Sequence, residues 1–277
     1  MHKYFGEILI GKRALITGAS RGLGLLMARR FLECGAKVAI CAAPNENVID
    51  AVTQLKNLNH SYEVLGFQPN LNNSDELNIM VEQIEQVWGG IDILVNNAGI
   101  YPACRYDEYS PELFQKVNNL NVLGTFMVIK SAVKIMEKQR KGVILNTSSM
   151  AGIDGAMGNI GYTASKFGVE GLTLGLAREL GPKGIRVNGV APAGIDRTDL
   201  DGNIIISNVK LSDEVESAYR IAEKFAPLGT YHCHPDEIIN AFIFLASDAA
   251  SFISGQTIAV SGACVWPAAS PASSLMY

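Results

Sequence analysis

The chain has 277 residues, 48% hydrophobic and 18% charged, enough to bury the core of one large α/β domain without requiring a second. Its 23 basic and 27 acidic residues leave a formal charge of −4, and no Lys/Arg-rich run occurs, which argues against a nucleic-acid surface. The five scattered cysteines, odd in number and without C-x-x-C spacing, read as reduced thiols, and the opening "MHKYFGEILIGKRALITG" has only short apolar runs; the expectation is a cytoplasmic protein with neither signal peptide nor membrane span.

Along the chain, short β-rich runs occur at 13–17 (RALIT), 37–41 (KVAIC), 62–67 (YEVLGF), 91–95 (IDILV), 142–147 (GVILNT), 185–190 (IRVNGV) and 256–260 (QTIAV). Stretches with helical spacing separate them. In 22–34, Leu23, Leu26, Met27 and Phe31 share a face and Gly35 supplies the stop. The run 74–88 opens "SDEL", which predicts Ser74 as the cap with acidic residues in the first turn. Strands alternating with helices predict a doubly wound (Rossmann) α/β fold, a seven-stranded parallel sheet with helices on both faces. It is expected to form a single domain over 1–277, with an N-terminal extension at 1–10. The rhythm breaks over 193–230, where 195–225 is placed to cover a ligand site, and again in the Ala/Ser/Pro-rich tail 265–277.

"ITGASRGLG" (16–24) follows the first strand and opens the first helix. Gly18 can turn the chain without a Cβ clash, while Gly22 and Gly24 let a diphosphate approach the helix N-terminus. The end of the second strand bears on which dinucleotide. An acid there binds the ribose 2′-hydroxyl of NAD and repels the 2′-phosphate of NADP. Here Cys41, Ala42 and Ala43 carry no acid, none comes until Glu46, and Arg21 is the nearest cation. NADP(H) is therefore expected over NAD(H).

With this loop, "NNAG" (96–99) and Y-x-x-x-K (162–166) in order, the chain from about 11 to 264 resembles the short-chain dehydrogenase/reductase family in its single-domain form. The resemblance implies that Thr17, Gly18, Ser20, Arg21, Gly22, Leu23 and Gly24 form the diphosphate loop, with Asn70 and Leu71 beside the adenine. It implies that the backbone of Asn97, Ala98 and Gly99 lines the ribose, with Asp92 the acid often found ahead of that motif. Asn121 matches the asparagine that kinks the following helix and completes a proton relay; Asn118 and Asn119 are neighbours, but only Asn121 has glycine three residues on. In "LNTSSMAG", Ser149 matches the catalytic serine, thirteen before Tyr162 and three before Gly152, with Ser148 the alternative. After the sixth strand "APAGIDRT" puts Ala193 where glycine is expected, leaving Pro192, Gly194, Ile195 and Thr198 for the nicotinamide, and the family's terminal Gly-Gly becomes Gly262-Ala263.

These matches cast Asn121, Ser149, Tyr162 and Lys166 as the catalytic set. On a helix, Lys166 lies under the Tyr162 phenol, ~6 Å away. Its charge, with that of the oxidised nicotinamide, favours phenolate; bringing the pKa from ~10 to around 7 takes about 4 kcal/mol. Tyr162 then serves as general acid and base, and Ser149 holds the substrate oxygen. The segments 100–105, 153–159 and 195–225, with Tyr101, Met157, Ile160, Ile204, Ile205 and Ile206, are apolar and predict a carbonyl or alcohol on an apolar or cyclic body. The alternative is a nucleotide-binding sensor or scaffold without turnover. His232-Cys233-His234 lacks the ligands for a metal and reads as a loop into the next helix, so no metal is expected. Trp266 and Tyr277 are candidates to touch a neighbouring subunit or close the pocket. The stripe Val128, Ile129, Ala132, Val133, Ile135 and the helix 167–177 look too apolar for solvent; the resemblance implies that these helices pair across a two-fold axis, giving a homodimer or homotetramer.

Overall fold

The computed structural model describes residues 4–102, 104–155, 159–196 and 226–264. In chain order the strands are β1 (Arg13–Thr17), β2 (Lys37–Cys41), β3 (Val64–Phe67), β4 (Ile93–Asn96), β5 (Gly142–Thr147), β6 (Ile185–Pro192), β7 (Gly194–Ile195), β8 (His232–Cys233) and β9 (Thr257–Val260). The helices are α1 (Gly22–Glu33), α2 (Val48–Leu58), α3 (Ser74–Trp88), α4 (Pro111–Asn118), α5 (Thr125–Gln139), α6 (Ile160–Leu180) and α7 (Pro235–Ala246), with a π-helical turn over Asn119–Gly124. Seven strands form one parallel sheet in the order β3-β2-β1-β4-β5-β6-β9, the doubly wound architecture that the sequence predicts.

Side-chain alternation along the strands divides two cores. Ala14 and Ile16 of β1, with Val38 and Ile40 of β2, pack against Leu26 and Phe31 of α1, Leu55 of α2 and Phe242 of α7. Leu15, Ala39 and Cys41 point the other way, onto Met80 and Ile84 of α3, Ile129 and Met136 of α5 and Leu180 of α6. A strand covered on both faces must be apolar at successive positions, which is why these runs read as continuous rather than alternating. Each fully buried Leu, Ile or Phe contributes ~1.5–3 kcal/mol of transfer free energy.

Strand order reverses between β1 and β4, so the chain winds away on both sides and leaves a crevice above their carboxyl ends. The opposite end is pinned by a two-pronged ion pair: Arg13 Nε and Nη2 each donate to Asp92 at 2.7 Å, and the Arg13 backbone N–H adds a third bond at 2.9 Å. Burial pushes the Asp92 carboxyl pKa up, but these bonds outweigh it and hold the group below its ordinary value. Asp92 thus fastens the base of β1 to β4, away from the crevice.

Several boundaries differ from expectation for identifiable reasons. The cap of α3 is Asn73, whose side chain accepts from the amides of Asp75 and Glu76; Ser74 is the first helical residue. β3 begins at Val64 because Tyr62 closes a turn onto the Asn59 carbonyl. β4 begins at Ile93 because the Gln139 side chain takes both the N–H and the C=O of Ile91. β6 runs to Pro192 because Gly189–Pro192 pair with β9. The stripe Val128, Ile129, Ala132 and Ile135 is core beneath the sheet rather than an outward face, with Val133 packed partly against it.

Two departures from the family pattern are placed. Ala193 donates its amide to Val260, extending the β6–β9 pairing, while Gly194 is the position where a Cβ would stand 2.7 Å from the His232 ring and 2.9 Å from the Tyr231 ring. The glycine sits one residue later because the close approach does. Ala263 adopts φ +61°, a left-handed conformation costing an L-residue ~1–2 kcal/mol. Cys233 and its neighbour His232 form β8 against β7, and His234 caps α7 by accepting from the Asp236 amide in a capping box with Glu237. No cluster of three metal-ligating side chains occurs among the described residues. No described helix is long and apolar enough to cross a membrane.

Candidate active site

The glycine loop and the exit of β4 are built as one piece. Asn97 and Ala98 both donate their amides to Thr17 Oγ1, at 3.0 and 3.1 Å, and the Asn97 side chain donates to the carbonyls of Thr17 and Gly18. Thr17 and Asn97 therefore act on any ligand through the backbone they hold. The result is a close approach: a Cβ at Gly18, whose φ is +63°, would stand 2.7 Å from Ala98 Cα, and one at Gly24 would stand 2.3 Å from the Gly18 carbonyl oxygen. Gly22 opens α1 at φ +56°, and the residue before it places no side chain over the first-turn amides. Free amides at a helix N-terminus suit a diphosphate.

From this loop a cavity of about 350 Å³ extends between Gly18, Leu23, Gly24, Cys41, Ala42, Ala43, Asn70, Leu71, Asn97, Ala98 and Gly99, with Arg21, Pro44 and Glu46 along one side. A second cleft of similar size, between Glu7, Glu33, Lys37 and Tyr62, lies at the other end of the strands and has none of these features; the glycine loop decides which one matters. The residues present fit a nicotinamide dinucleotide. Asn70 lines this cavity; its Oδ1 accepts from the Asn72 amide and keeps a second lone pair, so the amide can offer an adenine both a donor and an acceptor. Pro192, Gly194 and Ile195 stand at the end of β6 and in β7. Thr198, Met157, Ile204, Ile205, Ile206, Trp266, Tyr277, nearly all of 195–225 and the tail 265–277 lie outside the described residues.

Arg21, the cation behind the NADP(H) expectation, does not face the cavity alone. Its Nη2 donates to Glu46 Oε1 at 3.3 Å, and Ser20 Oγ donates to the other oxygen of the same carboxylate. The pairing spans 25 residues and sets a carboxylate beside the positive charge on which that expectation partly rested.

Beyond Gly99, Tyr162 stands in the first turn of α6 and Lys166 one turn later, buried, with Nζ 5.4 Å from the centre of the Tyr162 ring. Nζ donates to the Thr147 carbonyl at 2.6 Å, which fixes the ammonium at the end of β5. A Cβ on Gly152 would meet Lys166 backbone and Cβ atoms at 2.8–2.9 Å, so Gly152 is what lets the serine-bearing loop lie on α6. Ser149 is partly exposed and its Oγ accepts from the Ala151 amide at 3.1 Å, leaving the hydroxyl hydrogen to donate elsewhere. Ser148, by contrast, is buried with its Oγ unpaired among the described residues, so the geometry favours Ser149 of the two.

Asn121 lies in the π-helical turn between α4 and α5, fully buried. Its Oδ1 accepts from the Ile100 amide, and its Nδ2 donates to the Ile100 carbonyl and to Ser165 Oγ. Ser165 in turn donates to the Tyr162 carbonyl at 2.7 Å. The Asn121 side chain is thus a clamp between Ile100, just after the NNAG segment, and α6, while its backbone carbonyl accepts from Thr125 Oγ1 at 2.8 Å and keeps a second lone pair for a relay. The sequence reading missed Ser165 and Thr147 and passed over Glu46 as too far beyond the second strand; Ser165, beside Lys166 in the same turn, was the one with a local signal. Tyr101 packs edge-on against Tyr162, ring centres 4.7 Å apart, and forms an aromatic wall beside the phenol.

A doubly wound sheet with a glycine turn after β1 and a Tyr–Lys pair at the carboxyl ends of its strands defines a dinucleotide-dependent oxidoreductase class. The family profile described as short chain dehydrogenase matches residues 12–207, and the chain belongs to that family. It is 42% identical over 256 residues to a 3alpha-hydroxysteroid dehydrogenase of Mediterraneibacter gnavus, covering 92% of this chain and 98% of that one. It is 35% identical over 254 residues to a 3-oxoacyl-(acyl-carrier-protein) reductase of Aquifex aeolicus, covering 92% and 97%. Among solved structures, a short-chain type dehydrogenase/reductase from Mycobacterium marinum superposes with a TM-score of 0.79 at 32% identity, over 92% of this chain and 95% of that one. Levodione reductase superposes at 0.78 and 29% identity, over 91% and 97%. The protein is an oxidoreductase that interconverts carbonyl and alcohol groups.

Burial lowers the Lys166 pKa to about 8, with Glu170 opposing the fall. The depressed value means that below pH 8 the fold carries the cost of a buried charge, and that this cost fades as pH rises toward the ordinary lysine value, because the unfolded chain binds the extra proton in that window. Lys166→Met should therefore raise the stability of the cofactor-free protein at pH 7 by on the order of 1–2 kcal/mol, after loss of the Thr147 hydrogen bond. Urea unfolding of both proteins at pH 7 and pH 10 checks this: the advantage should shrink at the higher pH. A variant less stable than the parent at pH 7 would contradict it.

Proposed function

We propose that the protein interconverts a ketone or aldehyde with a secondary alcohol on an apolar or cyclic body, with Tyr162 as the group that gives and takes the proton. The observation that carries this is the Lys166 ammonium buried beneath the Tyr162 ring at the floor of a glycine-lined crevice. A bound nicotinamide supplies the hydride. The remaining steps belong to the chain. Lys166, held at the Thr147 carbonyl, is mainly cationic at pH 7 and favours the phenolate form of Tyr162. Ser149 donates its hydroxyl hydrogen to the substrate oxygen and orients it toward Tyr162. In reduction Tyr162 Oη delivers its proton to that oxygen; in oxidation it removes one. Asn121 and Ser165 hold the α6 backbone at Tyr162 against the NNAG segment.

The cofactor-binding set is Thr17, Gly18, Ser20, Arg21, Gly22, Leu23, Gly24, Asn70, Leu71, Asn97, Ala98, Gly99, Tyr162, Lys166, Pro192, Gly194, Ile195 and, beyond the described residues, Thr198. Against the NADP(H) preference expected from the acid-free end of β2 and from Arg21 stands the Arg21–Glu46 pair, which supports NAD(H) instead. The Tyr101 wall, and a relative named for a hydroxysteroid, support a flat apolar substrate. The alternative of a scaffold without turnover finds no support in a site that keeps Asn121, Ser149, Tyr162 and Lys166 together. All five cysteines are free, as suits the cytoplasm. Phe114 on α4, Leu123 in the π-turn, Phe126 on α5 and Phe167 and Leu174 on α6 remain 38–49% exposed, and this outward apolar surface supports a homodimer or homotetramer.

Tyr162→Phe should keep the fold and dinucleotide affinity while turnover on a panel of steroid, cyclic and 3-oxoacyl ketones falls at least ~100-fold; near-normal turnover would refute the role. Light scattering at micromolar concentration should give two or four times the 29.8 kDa of one chain, and the mass of a single chain would contradict the assembly.

A further inference from the structure

The acid missing from the end of β2 is supplied from further along the chain. After Cys41, Ala42 and Ala43, the loop turns at Pro44 and the Glu46 amide donates to the Ala43 carbonyl at 2.9 Å. The Gln68 side-chain amide ties down this turn by donating to the backbone carbonyls of Pro44 and Glu46. Asn47 next caps α2, accepting from Ile49 and Asp50. Held from both sides, Glu46 turns its carboxylate back toward the glycine loop, where Ser20 Oγ and Arg21 Nη2 each donate to one of its oxygens. The carboxylate is 29% exposed and lines the same cavity as Ala42, Ala43 and Asn70.

A hydroxyl and a guanidinium beside the second strand are the donors that a ribose 2′-phosphate needs. Here a carboxylate already has both. We propose that Glu46 is the residue that selects NAD(H), acting as an internal stand-in for the 2′-phosphate; this rests on the cavity being the dinucleotide site. An incoming 2′-phosphate brings close to two further negative charges against the Glu46 carboxylate, and must displace it to reach Ser20 and Arg21. A ribose 2′-hydroxyl is itself a donor, and a carboxylate with two of roughly four lone-pair sites filled can accept from it. The same contact that neutralises Arg21 thus turns an apparent phosphate site into a hydroxyl site.

The test is binding, without turnover. Titrate the full chain, Glu46→Gln and Glu46→Ala with NADH and NADPH by fluorescence, and with 5′-AMP and 2′,5′-ADP by calorimetry, so that the adenosine end is also read alone. The native chain should bind NADH at least tenfold tighter than NADPH, a difference of about 1.4 kcal/mol. Both substitutions should bring the two within threefold or invert them, mainly by strengthening NADPH, and the fragments should follow. Adding Arg21→Ala to Glu46→Gln should cancel the NADPH gain. A native chain that binds NADPH as tightly as NADH, or a gap unchanged by both substitutions, overturns the proposal. If no nucleotide binds the native chain at all, the dinucleotide assignment itself falls, and this proposal with it.

Discussion

Placing one ammonium group in a dry site constrains most of this structure. Among the described residues Lys166 has no carboxylate in direct contact; its Nζ is held by the Thr147 carbonyl and lies against the Tyr162 ring, with Glu170 acting from one turn further along α6. Such a charge costs stability and lowers its own pKa. The cost is tolerated because β5 delivers a carbonyl at its carboxyl end where α6 passes, and because Gly152 allows the two segments to touch. Without that close packing Lys166 would reach water, and its influence on the phenol would be screened.

The rest of the crevice follows from the same economy of space. Gly18 and Ala98 approach as closely as two backbones can, and Thr17 and Asn97 consume their side-chain polarity in holding them there. Asn121 does the same one layer away, using its whole amide to join Ile100 and Ser165. These residues shape the site without reaching into it. Ser149, Tyr162 and Lys166 are left as the side chains with chemistry to offer.

Much of the fold was legible because each of its determinants is local. A buried parallel strand is a short β-branched run, and a glycine turn announces its own geometry, so β1, β2 and β5 match their expected limits. What failed depended on the backbone path or on partners far apart in sequence. Asn73 and Ser74 are both good caps, and only the backbone path decides between them. An apolar helical stripe looks the same whether it faces a sheet or a second subunit; Val128 to Ile135 faces the sheet, and the outward residues are Phe126, Phe167 and Leu174. The pairing of Arg21 with Glu46 needed the β2–α2 loop to fold back, which no periodicity encodes. Ser149 and Tyr162 were singled out by motif spacing, but that Ser148 is buried while Ser149 is partly exposed is visible only in three dimensions.

The central claim is that a buried lysine acidifies a neighbouring phenol, and the ionisation of Tyr162 itself tests it most directly. With ring-labelled tyrosine, the Tyr162 resonance, assigned by its loss in Tyr162→Phe, can be titrated in the complex with oxidised dinucleotide. The account predicts an ionisation near pH ~7, returning toward ~10 when Lys166 is replaced by Met. A Tyr162 that titrates near ~10 in the native complex, indifferent to that replacement, would contradict it.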